Sequence, residues 1–124
     1  MDRVLIESLG VDTVIGVYDW ERRITQRLLL DLELATDIRP AAANDDLSQT
    51  LDYAAISERI ARFAADHAFL LVETFAERLA DVLRNEFAVA WLRLTLRKPG
   101  AVPNAGAVGV CIERGTLAEG NGCA

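Results

Sequence analysis

The stretch Leu28-Leu29-Leu30-Asp31-Leu32-Glu33-Leu34-Ala35 decides how the rest of the chain is read. A two-residue alternation places Leu28, Leu30, Leu32 and Leu34 on one face while Asp31 and Glu33 point to the other, so this segment predicts a half-buried strand. Two more segments of the same kind lie near the C-terminus. Leu92, Leu94 and Leu96 alternate with Arg93, Thr95 and Arg97, and Val108, Val110 and Ile112 alternate with Gly109, Cys111 and Glu113. Upstream, residues 3–17 are rich in Val, Ile and Leu and punctuated by Gly10 and Gly16, which predicts one long strand, bulged or bent near Gly10.

The middle of the chain changes period. Ile56, Ile60, Phe63 and Ala64 recur at helical spacing after Asp52, a residue suited to capping a helix start, so a first helix is expected from Tyr53 to His67. Val72, Phe75, Leu79, Val82 and Leu83 form a second stripe among Glu77, Arg78, Asp81 and Arg84, with a turn at 69–71 between the two. The order is ββααββ. Alternating strands favour an antiparallel sheet with both helices on one side, an α+β two-layer fold.

With 124 residues, 52% of them hydrophobic and 26% charged, the chain is expected to fold as a single domain over residues 1–115, followed by a small, polar, flexible tail at 116–124. A net charge of -6 has the wrong sign for neutralising nucleic-acid phosphates or docking on an anionic membrane. No apolar run approaches the ~20 residues that span a bilayer, and the N-terminus breaks into charge too early for a signal peptide. The expectation is a soluble, cytoplasmic protein without nucleic-acid or membrane partners. Cys111 and Cys123 are too few for a disulfide framework, and Cys111 is expected to be a small buried apolar residue. His67 is the only histidine, which leaves any metal to carboxylates alone, so no metal site is expected.

A four-stranded open sheet leaves two edges that proteins must cover, charge or pair, and neither edge here is protected by proline. The charged second face, with Asp31, Glu33, Arg93 and Arg97, also needs partners. Copies joining edge to edge into a closed barrel would meet both needs.

Four segments carry residues with chemical capacity, and each also has a purely structural reading. Ile15-Gly16-Val17-Tyr18-Asp19-Trp20-Glu21-Arg22 reads as a solvated loop with aromatics on its rim. Asp45-Asp46-Leu47-Ser48-Gln49-Thr50-Leu51-Asp52-Tyr53 reads as an acidic capping loop, with Tyr53 an amphipathic packing residue at the helix entrance. Glu73, in the first turn of the second helix, would serve the helix dipole, worth about 0.3 to 1 kcal/mol. Its functional reading is sharper. A carboxylate beside free backbone N–H groups suits a planar amidine-like ring edge with two N–H groups and a neighbouring carbonyl. Lys98, in Lys98-Pro99-Gly100-Ala101, would be solvated edge protection, or a desolvated amine that moves protons.

Other chemistries find little support. Ser48 and Ser57 have only His67 as a base and no Gly-x-Ser-x-Gly elbow occurs; the glycines form neither GxGxxG nor a P-loop. A Schiff-base role for Lys98 stays open on these residues alone.

Taken in register, IGVYDWER at 15–22, DDLSQTLDY at 45–53, LLVETFAERLA at 70–80, KPGA at 98–101 and VGVCIERG at 108–115 resemble the dihydroneopterin aldolases of the folate pathway, over residues 1–114. The resemblance implies the tunnelling fold (T-fold), whose sheets close into a barrel, with two tetrameric rings stacked as a homo-octamer. It implies an aldehyde-lyase that splits 7,8-dihydroneopterin into 6-hydroxymethyl-7,8-dihydropterin and glycolaldehyde, with 2'-epimerisation to 7,8-dihydromonapterin as a side reaction. The ring's own C=N bond accepts the electrons, so no metal, cofactor or enzyme imine is implied. By the same resemblance, Lys98 is the general acid/base near N5, Tyr53 handles side-chain protons from a neighbouring subunit, Glu73 with the backbone of Val72 grips the aminopyrimidine edge, and Glu21 lies near the side chain and the lysine. An epimerase of the same fold acting on phosphorylated dihydroneopterin and a non-catalytic ligand-binding or assembly module of that fold are the rival readings.

Overall fold

The computed structural model describes residues 1–117. The expected tail lies, from residue 118 onward, outside the described residues, as does Cys123. Four strands, β1 (Arg3–Thr13), β2 (Gln26–Ala35), β3 (Trp91–Pro99) and β4 (Ala107–Gly115), form one antiparallel sheet in the order β1-β2-β3-β4. Between β2 and β3 come a short helix α1 (Arg39–Asn44) and the two long helices α2 (Tyr53–Asp66) and α3 (Val72–Glu86). The α+β architecture and ββααββ order are those expected, with α1 added. Its start signal was Pro40, whose fixed φ and missing N–H suit a first helical turn.

The alternation at 28–34 builds the core directly. Leu28, Leu30, Leu32 and Leu34 are fully enclosed, as are Leu92, Leu94 and Leu96 of β3, and they meet Ile56, Ile60 and Phe63 of α2 and Phe75, Leu79 and Leu83 of α3. Helix α2 packs over β1, and α3 over β3 and β4. Each such leucine contributes about 1.5–3 kcal/mol by leaving water. Asp52 caps α2 by accepting from the N–H groups of Ala54 and Ala55 at 3.1 Å each.

Three expectations need correction. First, β1 ends at Thr13 rather than reaching Val17, because its ladder partner β2 begins at Gln26 and leaves Val14 and Ile15 unpaired. Second, the irregularity in β1 falls between Ile6 and Leu9, at Ser8 with φ +53°, not at Gly10. The N–H that Ser8 withdraws from the ladder donates to Asp31 Oδ1 at 2.8 Å, so a side chain on the next strand replaces the lost carbonyl. Third, Cys111 is exposed rather than buried. It sits opposite Thr95 on the face away from the helices, where the Thr95 hydroxyl donates to its Sγ at 3.2 Å.

That second face pairs its charges within one chain. Glu33 receives Arg3 and Arg93 at 2.8 Å each, Arg93 also reaches Glu113 at 3.6 Å, and Arg97 bonds Asp31. The guanidiniums of Arg3 and Arg93 lie 4.9 and 5.8 Å from the centre of the Trp91 ring, which explains how a tryptophan on this face stays covered.

Candidate active site

At one end of the sheet the apolar alternation runs out into polar residues. Val11 is followed two residues later by Thr13, Leu28 is preceded by Gln26, and Leu96 is followed by Lys98, all in core-facing register. These three positions close the end of the core with groups that need partners. Thr13 donates to the His67 carbonyl, and the partner of Gln26 and Lys98 is Glu21, which is 4% exposed.

Glu21 opens a single 3-10 turn (Glu21–Arg23) that folds the chain back between β1 and β2. Its Oε2 accepts from Lys98 Nζ at 2.5 Å and from Gln26 Nε2 at 2.9 Å, and its Oε1 accepts from the Tyr18 N–H at 3.3 Å. The Gln26 amide also donates to the Ile15 carbonyl at 2.8 Å, which fixes its orientation. The Lys98 side chain is 12% exposed. Hydrogen bonds from Lys98 first and Gln26 second outweigh burial and hold the Glu21 carboxyl at about 2, below its ordinary 4.5. The pair is a carboxylate and a mostly enclosed amine in direct contact.

Gly16 makes room for this carboxylate. Its φ of +124° is open to glycine, and a Cβ there would lie 2.2 Å from the Glu21 carboxyl carbon.

The start of α3 forms the second part of the site. Its N-cap is Leu71, which supplies no capping oxygen, so no side chain covers the first N–H groups at Val72 and Glu73. Helix α2, by contrast, has its first turn capped by Asp52. Glu73 is exposed in the first turn of α3, beside those free donors. A ring edge presenting an acceptor next to two N–H groups would find its complement here.

A family model described as FolB, dihydroneopterin aldolase, matches residues 4–113. The chain belongs to the dihydroneopterin aldolase family. The dihydroneopterin aldolase of Escherichia coli K12 is 49% identical over 98% of this chain and 100% of its own length. The solved E. coli dihydroneopterin aldolase in complex with neopterin is 50% identical, covering 93% of this chain and all of that one, with a TM-score of 0.90. A Burkholderia dihydroneopterin aldolase bound to guanine is 26% identical over 93% of this chain and 91% of that one, at a TM-score of 0.77. An archaeosine synthase of the QueF-like type shares the fold alone, at 12% identity, a TM-score of 0.61 and coverage of 95% and 98%. The T-fold class and the aldolase activity in folate biosynthesis are thereby those expected from the motifs.

Within this dihydroneopterin aldolase chain, Glu21 and Lys98 touch, and the segment leading to Val72 and Glu73 joins the same end of the sheet. Tyr53 does not. It opens α2 and is 63% exposed, whereas the far end of α2 lies beside Thr13, whose hydroxyl donates to the His67 carbonyl at 3.1 Å. Fourteen helical residues separate the two ends by about 20 Å. The sequence assigns no site role to Gln26, Gly16 or Arg22, although Gly16 and Arg22 lie within the 15–22 segment. Gln26 was legible, since it extends the core-facing row of Leu28 to Leu34 with a polar group; Gly16 and Arg22 act through loop geometry that has no period to read.

Among the described residues no helix is long and apolar enough to cross a membrane, and no three His, Cys, Asp or Glu side chains cluster as a metal site.

Proposed function

We propose that this chain performs its aldol cleavage with Lys98 as the acid/base at N5 of 7,8-dihydroneopterin and with Glu21 as the carboxylate that holds and balances it. The observation that carries this reading is the 2.5 Å contact between Lys98 and Glu21 at the polar end of the core. The N–H groups of Val72 and Glu73, with the Glu73 carboxylate, take the aminopyrimidine edge; neopterin and guanine, seen with two relatives, both present such an edge.

A proton leaves the hydroxyl on C2', the C1'–C2' bond breaks, and its electrons pass through C6 to N5, which takes a proton from the Lys98 side. Glycolaldehyde departs. The remaining enol is protonated at C1' while N5 returns its proton, giving 6-hydroxymethyl-7,8-dihydropterin, so protons and electrons balance without an oxidant. Tyr53 of a neighbouring copy serves the side-chain hydroxyl. Its exposure, its distance from Lys98 within one chain, and the exposed Tyr18, Trp20, Leu70 and Leu71 in the loops beside the site support a ring of copies with sites at their interfaces, and two such rings an octamer. Re-addition of the enol C1' to the opposite face of the glycolaldehyde carbonyl would invert C2' and give 7,8-dihydromonapterin as a side product.

Product analysis by chromatography after incubation with 7,8-dihydroneopterin tests the reading. Both cleavage products should form without added metal; 7,8-dihydromonapterin alone would place the chain with the epimerases, and no turnover by a folded oligomer would leave a pterin-binding module.

A further inference from the structure

Arg22 follows Glu21 on the 3-10 turn and points the other way from its neighbour's chemistry. Its guanidinium donates to three main-chain carbonyls: from Nη1 to Gly16 at 3.0 Å and Phe69 at 3.0 Å, and from Nη2 to Ala68 at 2.5 Å. None of these partners is a carboxylate. Gly16 belongs to the loop that seats Glu21, whereas Ala68 and Phe69 belong to the link between α2 and α3, just past the C-terminus of α2, where helix carbonyls favour a cation. One side chain therefore ties the loop that holds the proton-transfer pair to the link that sets where α3 begins.

We infer that Arg22 is a positioning residue for the aldolase reaction: it fixes the separation between the Glu21–Lys98 pair and the N–H groups and carboxylate at the start of α3. This rests on the site reading above. Lys98 is held by β3 and Glu73 by α3, so each half of the site persists without Arg22. What the three bonds add is register between a ring edge gripped at one end and N5 at the other. A planar fork with five donors suits three converging carbonyls, and a lysine ammonium cannot reproduce that geometry. Small misplacements of reacting groups are costly in rate and need not be costly in affinity.

The test compares Arg22→Met and Arg22→Lys with the unaltered protein for kcat, for neopterin Kd by calorimetry and for thermal midpoint, each also in the Lys98→Ala background. The expected result is a fall in kcat of about tenfold or more in Arg22→Met, with neopterin Kd changed less than about threefold. Arg22→Lys should recover only part of the loss. In the Lys98→Ala background the further loss should vanish, since Arg22 acts through the alignment of Lys98. A lowered thermal midpoint with unchanged kcat would overturn the inference and leave Arg22 a structural staple, as would an undiminished loss in the Lys98→Ala background. The site reading has its own control: a Glu73→Ala variant that binds neopterin as the unaltered protein does would defeat that reading, and the Arg22 assignment with it, whereas weakened binding there with a silent Arg22→Met defeats the Arg22 assignment alone.

Discussion

Lys98 Nζ lies 2.5 Å from Glu21 Oε2, although 76 residues stand between them in the chain and the two arrive from different elements, β3 and the turn before β2. Both are nearly enclosed, and Gln26 completes the carboxylate's shell. A contact of this kind fixes the position of the amine against the carboxylate.

Removing the amine should therefore abolish chemistry while sparing recognition. Lys98→Ala is expected to lower turnover by at least about 100-fold, the scale of acid/base catalysis, with neopterin affinity retained. Steady-state kinetics beside calorimetry will separate the two, and an unchanged kcat would contradict the role.

The carboxylate has a signature in pH. Because its folded value is depressed, Glu21 lends stability that is complete above about 4.5 and is lost as the pH falls toward about 2. The difference in thermal midpoint between the unaltered protein and Glu21→Gln should stay level through the neutral range and close across that acid window. A difference that persists unaltered to the bottom of the window would assign the effect to packing instead of charge.

Glu73 is expected to act on binding. Glu73→Ala leaves two ring N–H donors without their acceptor, so neopterin Kd should rise by at least tenfold, given about 1.5–3 kcal/mol for a charged hydrogen bond. Unaltered affinity in calorimetry would remove Glu73 from the site.

Sharing of the site between copies can be tested by mixing. Tyr53→Phe and Lys98→Ala, each inactive alone, should recover activity when co-assembled, with about a quarter of the sites intact after random exchange. No recovery in oligomers shown to be mixed would argue against a site shared between copies.

Much of this was legible from spacing. The leucine alternation at 28–34 and 92–96 set the sheet, and the stripes from Ile56 and Val72 set both helices, because burial of one face imposes a period on the residues that make it. Cys111 was misjudged although its parity, opposite that of Val110 and Ile112, already placed it away from the helices. The end of β1 and the bulge at Ser8 were not legible, since they depend on where β2 starts and on Asp31 reaching across from the next strand. The site divides the same way. Lys98 and Gln26 continue apolar rows and could be seen as polar interruptions, whereas the grip of Arg22 on three carbonyls exists only after both loops have folded.

The placement of Tyr53 at the start of the 14-residue α2 also bears on how the enzyme would respond to its own abundance. If each site takes Lys98 from one copy and Tyr53 from the next, as proposed, a lone chain completes no site and contributes to two. Specific activity should then fall on dilution below the concentration at which copies associate, and recover on concentration with a lag set by reassembly.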